Sequence, residues 1–289
     1  MESEYIIIPG KINSKDLFGK KSLSASDYQS LNMQNKNFVF VKNLIHKPIS
    51  GKEVGSKEYI KKSNKYFIRT KALTKESYLL DYLTESITPI KPQAFIDKKL
   101  KEGDILLSKD SNIGEVAILE KDLPDYSICG GLKVLRTKKD RYYLFAFLKS
   151  DFFKAQIILM TPKGATMKHA KELWLEAKIP YPTQKNSQDV LRYIENLVRI
   201  KIKKEAELKN NYFEILRIIK EELDKNQKNK SFLYSLPTLK DFKRELRLDA
   251  GMFCEDYKRE QFKIENYKYG VDDIFTLGFN FRRGQNLQV

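Results

Sequence analysis

The chain has 289 residues, enough for one large domain or two modest ones and for a core that needs no disulfide or metal staple. Its 54 Lys and Arg against 38 Asp and Glu give a formal charge of +16, and aromatics at 12% argue against a disordered chain. Apolar runs such as 38–41 and 157–160 fall far short of the roughly 18 residues of a membrane span, and the acidic start Met1-Glu2-Ser3-Glu4-Tyr5 is unlike a secretory signal. Cys129 and Cys254 lie too far apart for a disulfide framework or a zinc-finger spacing and fit a reducing compartment. A cytoplasmic protein with no membrane partner is expected.

The charge is uneven. Residues 1–185 hold 33 basic and 21 acidic side chains, a net of +12; residues 186–230 carry +3 and residues 231–289 carry +1. A basic domain of this kind points to a polyanion, usually nucleic acid. A Lys-rich surface that follows an AT-rich genome is the competing explanation, and charge alone does not separate the two.

Residues 1–185 read as mixed α and β. Short β-type runs at 66–69, 104–108, 115–119 and 132–136 are bounded by turn residues. The second and third of these form a hairpin, with Ile105 and Leu107 on one face and Leu106 on the other, closed by the polar loop 109–114. Residues 141–160 are predicted as one helix with Leu144, Phe147, Leu148, Phe152 and Phe153 apolar. A Gly-containing loop, 161–169, and a strand-like exit, 178–182, follow; Pro180 and Pro182 restrict that strand to an edge.

Residues 186–224 contain no Gly and no Pro. Leu191, Ile194, Val198, Leu208, Tyr212, Ile215 and Ile219 recur at alternating spacings of three and four, interrupted by Lys201 and Glu205. That is a heptad seam for another helix, on a helix of about 38 residues and roughly 57 Å. A polar linker near 225–235 leads to a last segment opened by Leu236-Pro237. Within it Arg247-Leu248-Asp249-Ala250-Gly251-Met252-Phe253 echoes Ser22-Leu23-Ser24-Ala25-Ser26-Asp27-Tyr28 at an offset of 225, with a rougher echo of 45–51 in 279–284. A duplicated unit, the second copy cut short, is expected.

Catalytic groups are sparse. The two His, His46 and His169, exclude His-rich metal sites, and neither a Gly-x-x-x-x-Gly-Lys-Ser/Thr loop nor a Gly-x-Gly-x-x-Gly loop occurs. Ile179-Pro180-Tyr181-Pro182 lacks the Asn or Asp that opens an adenine-methyltransferase tetrad. Asp125 with Glu176 and Lys178 could hold Mg²⁺ in a degenerate nuclease, although the gap between them is long for one site.

Five stretches then stand in one order: Gly51-Lys52-Glu53-Val54-Gly55-Ser56 with Tyr59, Phe67-Ile68-Arg69-Thr70, the run 103–114, Gly164-Ala165-Thr166-Met167-Lys168-His169, and Ile179-Pro180-Tyr181-Pro182 with Gln188 opening the helix. Together they resemble the DNA specificity (S) subunit of Type I restriction–modification systems over residues 1–230, with a restart near Pro237. The resemblance implies an α+β fold: a target recognition domain of mixed α/β with a twisted, mainly antiparallel sheet, then a long coiled-coil-type helix. The expected divisions are a first DNA target recognition domain at 1–185, an antiparallel spacer helix at 186–229, and a linker with the truncated start of a second recognition domain at 230–289.

The resemblance further implies a subunit without catalytic or metal residues, partnered by double-stranded DNA, a methyltransferase subunit and a motor/endonuclease subunit. S-adenosylmethionine would be used by the methyltransferase and no cofactor bound by this chain. A complete member has two recognition domains and two helices. A premature stop, a fragment, or a half subunit working as a homodimer through the long helix would each explain the difference.

DNA contacts are expected from Lys109, Ser111 and Asn112 in the hairpin loop, from Lys163, Thr166, Lys168 and His169 in the second loop, and from Arg69 and Lys71 after a strand end. The competing readings are a hairpin that only turns and packs, a His169 that caps the next helix, and an Arg69 that serves as an ion-pair partner. The coiled-coil interface is expected from Leu191, Ile194, Val198, Leu208, Tyr212, Ile215 and Ile219. The alternatives are an inactive subunit that binds only methyltransferase, and the Mg-dependent nuclease.

Overall fold

The computed structural model describes residues 4–20, 24–82, 85–161, 172–245 and 249–278. The chain forms two compact units, Met1–Glu207 and Leu208–Val289. In chain order the first unit holds β1 (Ile6–Ile7), α1 (Ser14–Lys20), β2 (Ser30–Leu31), β3 (Phe38–Phe40), α2 (Val41–Leu44), β4 (Ile49–Ser50), β5 (Tyr66–Ile68), β6 (Ile87–Pro89), β7 (Ile105–Ser108), β8 (Val116–Ile118), β9 (Tyr126–Ile128) and β10 (Leu132–Leu135). It continues through α3 (Arg141–Lys149), α4 (Asp151–Met160), β11 (Lys178–Pro180) and the first half of α5 (Ser187–Lys225). The fold is α+β, as expected.

Among the described residues the strands make four small sheets where one was anticipated. The largest, in the order β4-β10-β7-β8, is antiparallel throughout. In the hairpin Ile105 faces Ile118, and Leu107 faces Val116. Period-two alternation then sends these four residues to one layer and the intervening Leu106 and Ala117 to the other. Ile105, Leu107, Val116, Ile118 and Leu135 join a core shared with α3, α4 and α5. Leu106, Ala117, Leu132 and Val134 join a second core against the sheet β6-β5-β9, in which β5 pairs with β9 in parallel. The four-stranded sheet is therefore covered on both faces.

The predicted helix 141–160 is two helices. Ser150 adopts an extended conformation (φ −75°, ψ 151°), and its hydroxyl accepts from the Phe153 N–H, capping α4. Four of the five predicted apolar side chains, Leu144, Phe147, Leu148 and Phe153, are buried in the first core; Phe152 packs at its edge. β11 pairs with β3, and the buried Gln156 amide binds its other side, donating to the Lys178 carbonyl (2.9 Å) and accepting from the Lys178 N–H (2.7 Å).

The seam on α5 is divided. Leu191 and Val198 are buried, with Ile194, Ile202 and Ala206 packed against the first unit's own core. These positions thus belong to the domain and are not open to another helix, which corrects the expectation for Leu191, Ile194 and Val198. Leu208, Tyr212, Ile215 and Ile219 are each more than half exposed.

In the second unit the rest of α5 is followed by α6 (Leu239–Glu245), α7 (Ala250–Phe253) and α8 (Glu255–Glu265). Phe253 is its one buried apolar side chain among the described residues. The internal repeat has a structural counterpart at the same offset. Ser14–Lys20 corresponds to Leu239–Glu245. The Asn13 side chain caps the first at the Asp16 N–H, and Thr238 exchanges hydrogen bonds with Asp241 at the start of the second. One helical turn at 25–28 ends on buried Tyr28, and one at 250–253 ends on buried Phe253. Each follows an extended cap residue, Ser24 (φ −75°, ψ 119°) or Asp249 (φ −73°, ψ 112°). Arg247, Leu248 and the 279–284 echo lie outside the described residues.

Two predictions follow from this packing. Val198→Asp is expected to cost more than about 3 kcal/mol by burying an unpaired charge, whereas Ile215→Asp should change stability by less than about 1 kcal/mol. Urea unfolding followed through the buried Trp174 reads both, and equal losses would contradict the divided seam. Separately, burial lowers Lys149 from 10.5 to about 8. Between pH 8 and 10.5 the unfolded chain holds the proton that the folded chain has released, so this group's contribution to stability rises with pH. The wild type should gain on Lys149→Met over that range; a relative loss would contradict the assignment.

Candidate nucleic-acid interface

Strand direction decides which loops meet. β4, β5, β7 and β9 end at the same rim from which β8 and β10 begin. The loops 51–55, 69–73, 109–115 and 129–131 therefore gather there, although they lie up to about 80 residues apart in sequence. Backbone hydrogen bonds join them: Gly51 N to Leu132 O (3.1 Å), Lys52 N to Ile128 O (3.1 Å), Cys129 N to Ile68 O (3.0 Å) and Lys109 N to Gly131 O (2.9 Å).

Two glycines permit the approach. A Cβ on Gly51 would lie 1.9 Å from the Cys129 carbonyl oxygen, and one on Gly131 would lie 2.8 Å from Thr70 Cγ2. Between the loops is a cavity of about 250 Å³ lined by Glu53, Tyr59, Phe67, Arg69, Thr70, Asp110, Ser111, Cys129 and Gly131. Burial pushes the Cys129 thiol pKa up, partly offset by neighbouring backbone N–H groups, so the thiol stays neutral there.

The candidate side chains have different surroundings. Ser111 is exposed, lines the cavity and sits in the left-handed region (φ 58°), a strained conformation for a residue with a Cβ. Lys109 is three-quarters buried and bound to Asp110 (2.6 Å). The Asn112 amide donates to the carbonyls of Leu73 (3.3 Å) and Thr70 (3.5 Å). Both were expected to reach DNA; here the Lys109 ammonium is paired within the loop and the Asn112 NH₂ holds backbone carbonyls of 70–73. Arg69 lines the cavity and donates to the Glu85 carbonyl at 3.4 Å, a long contact. Lys71 is largely exposed, 3.8 Å from Glu85. Lys163, Thr166, Lys168 and His169 lie outside the described residues.

Sequence reading missed Thr70, Asp110 and the Cys129-Gly130-Gly131 turn as rim members. A Gly pair directly after a β-type run was the available signal. The carboxylates of the nuclease reading are in separate ion pairs, Asp125 with Lys65 (2.7 Å) and Glu176 with Lys42 (2.7 Å), while Lys178 lies over the Phe38 ring. Among the described residues no three His, Cys, Asp or Glu gather as metal ligands, and no helix is long and apolar enough to cross a membrane.

Residues 33–211 match the model of the Type I restriction modification DNA specificity domain. The chain belongs to that family. The matched range of this specificity domain contains all four rim loops and the part of α5 that lies in the first unit. Similar solved structures include the Type I restriction–modification S subunit from M. genitalium, 14% identical with a TM-score of 0.44, covering 68% of this chain and 46% of that one. The HsdS subunit from Thermoanaerobacter tengcongensis is 16% identical with a TM-score of 0.40, covering 62% and 40%. A chain from a study of complex assembly and conformational transition of the type I R-M system is 19% identical with a TM-score of 0.40, covering 62% and 44%. This chain thus spans less than half the length of each. No curated protein matches it.

The rim of the specificity domain depends on the Gly51 contact. Gly51→Ala is expected to cost on the order of 1–3 kcal/mol or more, because the opposing atom is backbone, whereas Lys52→Ala, at an exposed position, should be within about 0.5 kcal/mol of wild type. An unfolding midpoint unchanged by Gly51→Ala would contradict the observed approach.

Proposed function

We propose that this chain reads a short stretch of double-stranded DNA with the rim 51–55, 69–73, 109–115 and 129–131. Partner subunits would then methylate adenine and cleave DNA under its direction. The observation that carries the reading is the family match over a range containing all four loops that the strand directions bring to one rim. Ser111, Arg69 and Lys71 are the side chains best presented, an exposed hydroxyl beside two cations; such a set reaches base edges and phosphates together. Lys109 and Asn112 hold the loop in shape. Lys163, Thr166, Lys168 and His169 stay in the proposal as a second DNA-contacting loop on the strength of the sequence resemblance. The chain itself performs no catalysis and binds no cofactor; S-adenosylmethionine belongs to the methyltransferase partner.

Leu208, Tyr212, Ile215 and Ile219, exposed at heptad spacing on α5, form the helix-pairing surface in this reading. Two chains paired through them as a homodimer would bring two copies of the first unit's rim to a symmetric, spaced site. The same exposed stripe favours one other reading, a subunit that binds methyltransferase without reading DNA.

Selection of purified chain on random duplexes tests the proposal. Enrichment of one short motif is expected, repeated in inverted, spaced copies if two chains pair. Recovery without any preferred motif, with methyltransferase still bound, would overturn DNA reading in favour of the second possibility. On the selected duplex, Arg69→Ala with Lys71→Ala should flatten the salt dependence by about two units of slope if both meet phosphate; an unchanged slope removes them from the interface.

A further inference from the structure

The two polar residues that interrupt the seam of α5, Lys201 and Glu205, have partners in the first unit. The Glu205 carboxylate accepts from three consecutive residues: the Ser77 hydroxyl, the Tyr78 N–H (2.9 Å) and the Leu79 N–H (3.2 Å). The Lys201 ammonium lies 4.6 Å over the Tyr78 ring. A carboxylate on two backbone N–H groups and a hydroxyl is a charge-assisted clamp, and here it joins the spacer helix to the irregular segment 70–79.

That segment is held from two further directions. From α3, Lys149 Nζ donates to the carbonyls of Thr74 (2.7 Å) and Lys75 (3.4 Å). From the hairpin loop, Asn112 donates to Thr70 and Leu73. The segment is also tied to the sheet, since the Tyr78 carbonyl accepts from the Ile118 N–H of β8 (2.9 Å). A chain of hydrogen bonds therefore runs from α5 through 70–79 to the loop 109–115.

We propose that Glu205 is a positioning residue that fixes the reading loop 109–115 relative to α5 through the segment 70–79. The segment has little regular structure to maintain its shape: one 3-10 turn at 70–72, then turns and bends. Besides the bond from Ile118 and the burial of Ala72, Leu73 and Leu79, it is held by one amide, one ammonium and one carboxylate presented by three different elements. Without the carboxylate, the Tyr78 and Leu79 N–H groups lose their acceptor, and the connection to Ile118 and Asn112 loosens. The Tyr78 N–H bonds one carboxylate oxygen while the Leu79 N–H and the Ser77 hydroxyl share the other, so Gln, with a single oxygen, keeps an acceptor for one of the two N–H groups and turns its NH₂ toward the other. Partial rescue by Gln is thus a specific consequence of the hydrogen-bond geometry. The link to DNA reading rests on the function proposed above; the structural coupling does not.

Amide exchange on the full chain, without DNA, tests the coupling, with Trp174 fluorescence reporting that each variant is folded. In Glu205→Ala, exchange at Tyr78 and Leu79 should accelerate about tenfold or more, and exchange at Gly114 and Glu115 in the hairpin loop about threefold. Glu205→Gln, which keeps one acceptor, and Ser77→Ala, which removes one donor, should each lie between wild type and Glu205→Ala. Acceleration confined to 77–79 would overturn the coupling, and no acceleration at Tyr78 and Leu79 would overturn the clamp. On a selected duplex, about tenfold weaker binding by Glu205→Ala, partly restored by Glu205→Gln, is expected; coupled exchange with unchanged affinity would overturn its role in positioning the reading loop.

Discussion

A sheet with apolar side chains on both faces can present polar groups only at its ends. The strands β10, β7 and β8 are in that position: Leu107, Val116 and Leu135 face the helical core, while Leu106, Ala117 and Val134 face the second sheet. Burial of this kind is the dominant favourable term in folding, and it leaves the loops at the strand ends as the places where sequence can vary for recognition. The rim is the end at which four loops close on one another, and Gly51, Gly130 and Gly131 allow its close contacts.

The same constraint explains why α5 behaves as two helices in one. Its first half completes the core of the first unit, so Val198 is as buried as a sheet residue. Its second half keeps the heptad spacing with the side chains exposed. Lys201 and Glu205 sit just before the change. A polar residue within an apolar stripe often specifies register, and these two do so against a loop of their own domain.

Much of the fold was legible where local pattern decides it. The hairpin alternation, the long helix with neither Gly nor Pro, and the edge strand marked by Pro180 were all readable from neighbouring residues. The break at Ser150 was not, because 141–160 is apolar on both sides of it and only the cap hydrogen bond to Phe153 shows the end of one helix. The division of the sheets was not legible either: β5 pairs in parallel with β9, some 60 residues away, and no local signal reports such a pairing. The heptad was correctly periodic, yet periodicity alone cannot say whether the other side of a seam is a second helix or the chain's own core. At the rim, Arg69, Lys71 and the hairpin loop were identified by residue type, while the use of Lys109 by Asp110 and of Asn112 by backbone carbonyls depends on contacts that type does not reveal.

In the proposed function one rim of the first unit, and not its opposite end, meets DNA. Photo-crosslinking tests it most directly, with a benzophenone side chain placed at Ser111 on the rim or at Lys121, an exposed residue beyond the far end of β8. On a selected duplex, the protein substituted at Ser111 should crosslink and that at Lys121 should not. Crosslinking from Lys121 with none from Ser111 would contradict the account.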